Sequence, residues 1–355
     1  MNRTDIGEAK GTEPEPPGRL RAGITFNLKK GAPSSLPDAE AEFDELDTIL
    51  AIQNALEESG FVCDLLEASE SLPSKLLQFR PDVVFNIAEG MAGRGREAQV
   101  PAILSFLRIP FTGSDETTMC IAMDKALTKR IVASYGVNTP AYRVIGKGAF
   151  PPDAGPLPDT GLSFPIIIKP NTEGSSKGIS SLSVVEDAPT LSRVAAEKIR
   201  AYRQDMLLEE YIPGREFTVG ILGNGENLRI FPPMEILFLD NAHSIYSYDV
   251  KRDYKQYVRY ACPPDADGGV LEEIKGMAET VYRALACRDL ARVDFRLSPE
   301  GRPYFIEINP LPGLAPGYSD FPILADFCGM DYTTLIREIL YGALSRYGIH
   351  YGSRG

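Results

Sequence analysis

The chain has 355 residues and a formal net charge of −12, with 49 Asp and Glu against 37 Lys and Arg. That length suggests two or three domains with a sizeable core, and the acidic balance argues against nucleic acid or an anionic membrane surface as partner. Only His243 and His350 could supply imidazole, which disfavours histidine-rich zinc sites and histidine-based triads, so any metal should be hard and oxygen-liganded.

Cys63, Cys120, Cys262, Cys287 and Cys328 are well separated and form no C-x-x-C pair, which fits buried thiols in a reducing compartment. The N-terminus lacks the apolar core of a signal peptide, and no apolar run is long enough to span a membrane. The expectation is a cytoplasmic, multi-domain chain.

Residues 1–20 are polar and rich in Pro, Gly and Glu, and read as a disordered tail. Arg21–Asn27 reads as a first strand. From Phe43 to Ser59, Phe43, Leu46, Ile49, Leu50, Ile52 and Leu56 fall at helical spacing, and Gly60 stops the helix. Phe61–Leu66 and Asp82–Ile87 read as strands around a short helix, Ser71–Phe79. Apolar strands alternating with helices imply a parallel sheet covered on both faces, a doubly wound domain over residues 21–117. Asp124–Tyr135 reads as a helix, Pro165–Lys169 as a strand, Thr190–Tyr202 as a helix, and Met206–Tyr211 and Phe217–Leu222 as strands. Leu271–Ala286 is an amphipathic helix, Leu290–Leu297 and Pro303–Ile308 are strands, and Tyr332–Tyr347 closes the chain. Residues 118–205 and 206–348 are taken as two further units.

Three segments carry candidate chemistry. In FPIIIKPNTEGSSKGIS a strand ends at Lys169 and enters a loop with Gly174, Ser175, Ser176 and Gly178. Glycine there lets backbone N–H groups approach phosphate oxygens, and the lysine adds charge; the bland alternative is a Gly/Ser turn beside an exposed lysine. In RVDF and FIEIN, period two places Arg292 with Asp294, and Glu307 with Asn309, while Val293, Phe295, Ile306 and Ile308 take the opposite, buried face. Asp294, Glu307 and Asn309 could converge on one or two Mg²⁺ ions. In LLEEYIPGRE, adjacent carboxylates precede a Pro-Gly turn; alone, this is as consistent with a surface turn as with nucleotide recognition.

The ordered succession MDKALTK, PIIIKPNTEGSSKGIS, LLEEYIPGREFTVGIL, ARVDF and FIEINPLPGL resembles the ATP-grasp superfamily, and is most similar to its D-alanine–D-alanine ligase branch, from about Asp82 to the last helix. The resemblance implies an N-terminal doubly wound parallel α/β domain followed by two α+β ATP-grasp subdomains. It implies an ADP-forming ligase that activates a carboxylate as an acyl phosphate and couples it to an amine, with amino-acid or peptide-like substrates. ATP and two Mg²⁺ ions, or Mn²⁺, are the implied cofactors, and a homodimer through the first domain is common in the family. By position, Lys125 and Lys169 would contact ATP, and Ser175 and Ser176 would cover the phosphates, with Ser175 near the substrate. Glu209 with the backbone of Tyr211 and Ile212 would read adenine, Glu216 would hold ribose, and Lys251 would meet the γ-phosphate. Asp294, Glu307 and Asn309 would hold the metals, Arg292 would stabilise the oxyanion, and Gly313 and Ser319 would bind the second substrate's carboxylate.

Departures cluster on the substrate side. The family's ammonium-binding glutamate has no clean counterpart, with Glu40 or Glu42 nearest; its Glu-Asp-Gly becomes Arg96-Glu97-Ala98; and Arg252 replaces the tyrosine after the mobile-loop lysine, suiting a more acidic substrate or pairing with Glu97. Lys125, Lys169, Lys251, Arg252 and Arg292 together imply a locally positive cleft. A specialised-metabolism ligase acting on a non-standard amino acid or peptide, and a nucleotide-binding protein without ligase activity, are the alternatives.

Overall fold

A computed structural model describes residues 19–31, 38, 40–148, 157, 159–174, 177–178, 183–239 and 254–350. Residues 1–18 of the expected tail, together with Ser175, Ser176, Lys251 and Arg252, lie outside the described residues.

The chain begins as a three-stranded parallel sheet in the order β2-β1-β3, built from β1 (Arg21–Phe26), β2 (Val62–Glu67) and β3 (Val83–Asn86). Five of the six β1 residues are buried, as a strand covered on both faces requires. On one face α1 (Leu46–Glu58) packs Ile49, Ile52 and Leu56 against Ile24 and Phe85. On the other, α2 (Leu72–Phe79) and α3 (Gln99–Leu107) pack Leu72, Leu76 and Leu104 against Leu66 and Val84. The helix starts later than the spacing predicts: Phe43 precedes it, and Leu46 and Leu50, read as part of its apolar stripe, are 49% and 38% exposed.

After α4 (Glu116–Met123) and α5 (Lys125–Ser134) comes an antiparallel sheet in the order β4-β7-β5-β6. Its strands are β4 (Tyr142–Ile145), β5 (Ile166–Pro170), β6 (Val184–Val185) and β7 (Met206–Glu210), and α6 (Ala188–Tyr202) covers one face.

The third sheet is antiparallel, in the order β11-β10-β8-β12-β13, with β9 (Arg229–Ile230) paired to β8 (Arg215–Leu222). The others are β10 (Met234–Phe238), β11 (Val258–Ala261), β12 (Leu290–Leu297) and β13 (Pro303–Asn309). A short α7 (Tyr254–Tyr257) precedes β11, and α8 (Gly268–Ala284) packs Ile274, Ala278 and Val281 in one cluster with Val219, Val293 and Phe295. Finally α9 (Asp320–Phe327) and α10 (Tyr332–Arg346) return to the start of the chain, where Leu335, Ile336 and Ile339 join the cluster of β1 and α1. The last helices therefore tie the β12–β13 hairpin to the first sheet. Among the described residues, no helix is long and apolar enough to cross a membrane.

Candidate active site

The polar face of the β12–β13 hairpin organises the site. Arg292 pairs in register with Asn309, and Asp294 with Glu307. The register then shifts, so that Phe295 faces Phe305 and Ile306 is the extra residue. Strict alternation assigned Ile306 to the buried face, but the bulge corrects this. It lets Phe305 and Ile308 both enter the core while Glu307 and Asn309 keep to the polar face. The Ile306 carbonyl accepts from Lys129 at 3.0 Å.

Asp294 is fixed from three sides. Thr218 donates to Oδ1 at 2.7 Å, Asn309 donates to Oδ2 at 3.1 Å, and Arg292 forks onto both oxygens at 3.0 and 2.9 Å. The other arm of Arg292 lies 3.4 Å from Asp320 at the start of α9, whose second oxygen accepts from Tyr260 at 2.8 Å. Burial works against the guanidinium charge, but Asp294 and Asp320 more than offset it, so Arg292 stays cationic. Two carboxylates and an amide oxygen on alternate register pairs, which share one face of the hairpin, form an all-oxygen donor set that fits Mg²⁺.

Beside this hairpin lies a buried chain of alternating charge. Both oxygens of Glu209 are engaged, by Lys129 at 2.6 Å and Lys169 at 2.5 Å, and Lys125 sits 3.5 Å from Glu307. Burial lowers Lys129 to about 8 despite Glu209. At Lys169 burial acts the same way, but Glu209 and Glu307 outweigh it and hold its pKa above the ordinary lysine value. Glu209, expected to read adenine, is thus 1% exposed and locked between two lysines. Lys129 escaped the sequence reading, although its i+4 spacing from Lys125 puts both on one face of α5.

Arg296 was also missed. It continues the period-two series Arg292, Asp294, Arg296, and it assembles the turn expected to hold adenosine. It donates to the Ile212 carbonyl at 2.7 Å, the Gly214 carbonyl at 3.0 Å, the Tyr211 hydroxyl at 3.1 Å and Glu216 at 2.9 Å. Glu216 is raised to about 7 by burial, against Arg296 and with Asp294, Glu307 and Asp320 adding to the rise.

A cavity of about 460 Å³ opens between Arg292, Asn309, Gly313 and Ser319 on one side and the segment around Glu42–Asp47 with Glu89 and Glu97 on the other. Gly313 and Ser319 do come together: a Cβ on Gly313 would stand 2.7 Å from Ser319 Oγ, which accepts from the Ala315 N–H at 3.1 Å, and Ser319 immediately precedes α9 without its side chain capping the helix. Two cations of the expected positive cleft, Lys251 and Arg252, lie outside the described residues; among the described residues the cavity is lined by Lys29, Lys125 and Arg292 and by carboxylates that include Asp44, Glu89, Glu97, Glu307 and Asp320. One carboxylate oxygen each of Glu42, Glu89 and Glu97 lie within 4.8 Å of one another. Burial, compounded by neighbouring carboxylates, raises Glu89 and Glu97 even though Arg96 pulls both down.

Asp44 behaves similarly, pushed up to about 7 by burial and Glu45. A carboxyl raised above its unfolded value of 3.8 makes the fold lose stability as pH climbs from there to about 7. Asp44→Asn removes that loss, so the variant should melt higher than the wild type at pH 8, with the difference vanishing toward pH 4. Thermal melts across this range check it, and an unchanged difference at both ends would refute it.

Comparison with known proteins fits this geometry. The family profile described as D-ala D-ala ligase C-terminus matches residues 131–341, more than half the chain. The chain belongs to the D-alanine–D-alanine ligase family. It is similar to the D-alanine–D-alanine ligase of Aquifex aeolicus, 34% identical over 83% of this chain and 94% of that one. The Bordetella avium D-alanine–D-alanine ligase is 35% identical over 70% of this chain and 74% of its own length. An uncharacterized Sinorhizobium fredii protein, y4sG, is 32% identical over 82% of this chain and 86% of its own. The fold matches the crystal structure of the Bacillus anthracis D-alanine–D-alanine ligase complexed with ATP, with a TM-score of 0.71, 23% identity and coverage of 93% of this chain and 99% of that one. This member of the family is therefore an ATP-dependent, ADP-forming ligase with an ATP-grasp fold, as the motif order implies.

Proposed function

We propose that this ligase phosphorylates the carboxylate of one amino acid and couples the resulting acyl phosphate to the amine of a second, releasing ADP and phosphate. The observation that carries the reading is the placement of Arg292 on one strand pair with Asp294, Glu307 and Asn309, with Arg292, Glu307 and Asn309 lining a cavity that reaches Gly313 and Ser319 and Asp294 bonded to Arg292 and Asn309 behind them. Mg²⁺ held by Asp294, Glu307 and Asn309 would supply charge neutralisation for phosphoryl transfer. Lys125 and Lys169 add fixed positive charge on the nucleotide side, and the turn built by Arg296 presents Tyr211, Ile212 and Glu216 to adenosine. Arg292, fixed by Asp294 and Asp320, presents a charge that needs no reorganisation as negative charge grows on the attacked carbonyl. The Ser319 end of α9 offers backbone N–H groups to the second substrate's carboxylate. Opposite it, Asp44, Glu89 and Glu97, whose pKa values burial raises, would regain their charge beside a bound ammonium, which is why amino acids suit this cavity better than uncharged partners.

A panel of D- and L-amino acids, singly and in pairs, tests the proposal by phosphate release with mass spectrometry of products. ADP and an amide product should appear in equal amounts, and only with an acceptor amine present. Tight ATP binding without amino-acid-dependent ADP release from any pair would favour the nucleotide-binding reading without ligation instead.

A further inference from the structure

Glu42 was the sequence candidate for holding the first substrate's ammonium, but its carboxylate is committed elsewhere. Oε1 accepts from the Gly174 N–H at 2.7 Å and from Arg96 Nη2 at 2.5 Å, and Oε2 accepts from Arg96 Nε at 3.2 Å and faces Lys177 Nζ at 3.3 Å. Arg96 extends the attachment by donating to the Thr172 carbonyl at 3.0 Å and to Glu173 at 3.0 Å. Four residues upstream, Asp38 Oδ2 accepts from the Gly178 N–H at 2.7 Å and from the Tyr202 hydroxyl at 2.8 Å. Two carboxylates from the connection between β1 and α1 therefore grip Gly174 and Gly178, on either side of Ser175 and Ser176. The attachment joins chain segments 132 and 140 residues apart.

Gly174 has a local reason to be glycine. A Cβ there would come within 2.8 Å of the Glu42 oxygen. Gly178 has a φ of +72°, a conformation that side chains disfavour. Glu42 is also fully charged: burial raises its pKa, but Arg96, Lys177 and the Gly174 N–H together bring it below the ordinary value. With two cations and a backbone N–H already on it, Glu42 is poorly placed to serve a third cation.

We propose that Asp38 and Glu42 are positioning residues for this ligase: they hold the Gly174 and Gly178 ends of the glycine–serine loop in place for ATP, and Glu42 does not bind the substrate's ammonium. This rests on reading that loop as the phosphate-covering loop of the proposed function. Fixing the ends before the nucleotide arrives removes part of the ordering cost that binding would otherwise bear. The ammonium is left to Asp44, Glu89 and Glu97 on the same wall of the cavity.

The test uses the full-length protein and calorimetric titration with ATP and Mg²⁺, comparing wild type with Glu42→Ala, Glu42→Gln and Asp38→Asn. Binding of ATP should weaken by about tenfold in Glu42→Ala and by less in Glu42→Gln, which keeps an acceptor for Gly174 but loses the ion pairs. Asp38→Asn loosens only the Gly178 end, so it decides the matter if removing Glu42 from between Arg96 and Lys177 prevents folding. In steady state, KM for ATP should rise while KM for the amino acid active in the panel stays within about twofold. ATP affinity unchanged in Glu42→Ala and Asp38→Asn, or a rise confined to the amino-acid KM, overturns the positioning role. A wild-type protein that binds no ATP would instead overturn the nucleotide reading of the loop.

Discussion

Arg292→Ala is expected to cut ligase turnover by about 10²–10³-fold while ATP binding survives. The guanidinium is fixed between the β12–β13 hairpin and the start of α9, where Asp294 and Asp320 both hold it. Its loss has two separable consequences. The first is chemical: on the proposed mechanism the charge opposite the developing oxyanion is lost, and Arg296, the other arginine of β12, is committed to Glu216 and the Ile212 and Gly214 carbonyls. The second is structural: Asp320, 2% exposed, loses a cationic partner, and removing one member of a buried pair costs about 3–5 kcal/mol. Arg292→Lys separates them, because it keeps a cation between the two carboxylates but cannot fork onto Asp294. The lysine variant should recover most of the thermal stability and little of the turnover. ADP release under single-turnover conditions, ATP titration and thermal melts measure the three effects. Unimpaired ligation by Arg292→Ala would remove the oxyanion role.

How much of this was legible in the sequence follows from the range of each interaction. The hairpin was read correctly because strand periodicity is local: Arg292, Asp294, Glu307 and Asn309 share a face by counting. The same counting misplaced Ile306, since a bulge is decided by whether Phe305 or Ile306 fills the core, and that depends on α8 and α5. Lys129 and Arg296 carried local signals of the same kind, four residues after Lys125 and two after Asp294, and were overlooked beside the motif residues. α3 and α9 were missed because QVPAILSFL and DFPILADF are short apolar runs with an internal proline, which do not separate helix from strand by periodicity. Among the described residues, the carboxylates around the motif lysines and arginine were not legible for a different reason. Counting lysines and arginines in motifs ignores the carboxylates brought to them from afar, and Lys125, Lys169 and Arg292 each meet one, Glu307, Glu209 and Asp320, within 3.5 Å. Glu42 shows the same limit, since its partners Arg96, Gly174 and Lys177 lie 54, 132 and 135 residues away in the chain.

Glu307→Gln should raise the Mg²⁺ concentration needed for half-maximal ADP release by at least about tenfold, a loss of the size usual for weakened metal sites. The substitution removes a charge from the donor set but keeps an oxygen of nearly the same shape, so the hairpin register and the bulge that aims it should survive. Asp294→Asn is expected to be more damaging. It weakens the metal site and also the bidentate contact that orients Arg292, and it changes the acceptors used by Thr218 and Asn309. The two variants should therefore differ in kind. High Mg²⁺ should restore much of the turnover of Glu307→Gln, because Arg292 stays held and the other loss is the 3.5 Å contact with Lys125, whereas Asp294→Asn should remain slow at saturating metal, because the arginine is no longer held. Mn²⁺ binds oxygen sites with somewhat greater affinity than Mg²⁺ and tolerates a neutral donor better, so it should rescue Glu307→Gln further. Metal titrations of ADP release for both variants check the distinction. A Mg²⁺ dependence identical to wild type in Glu307→Gln would take Glu307 out of the donor set, and would leave Asp294 and Asn309 to hold the ion with groups from the nucleotide itself.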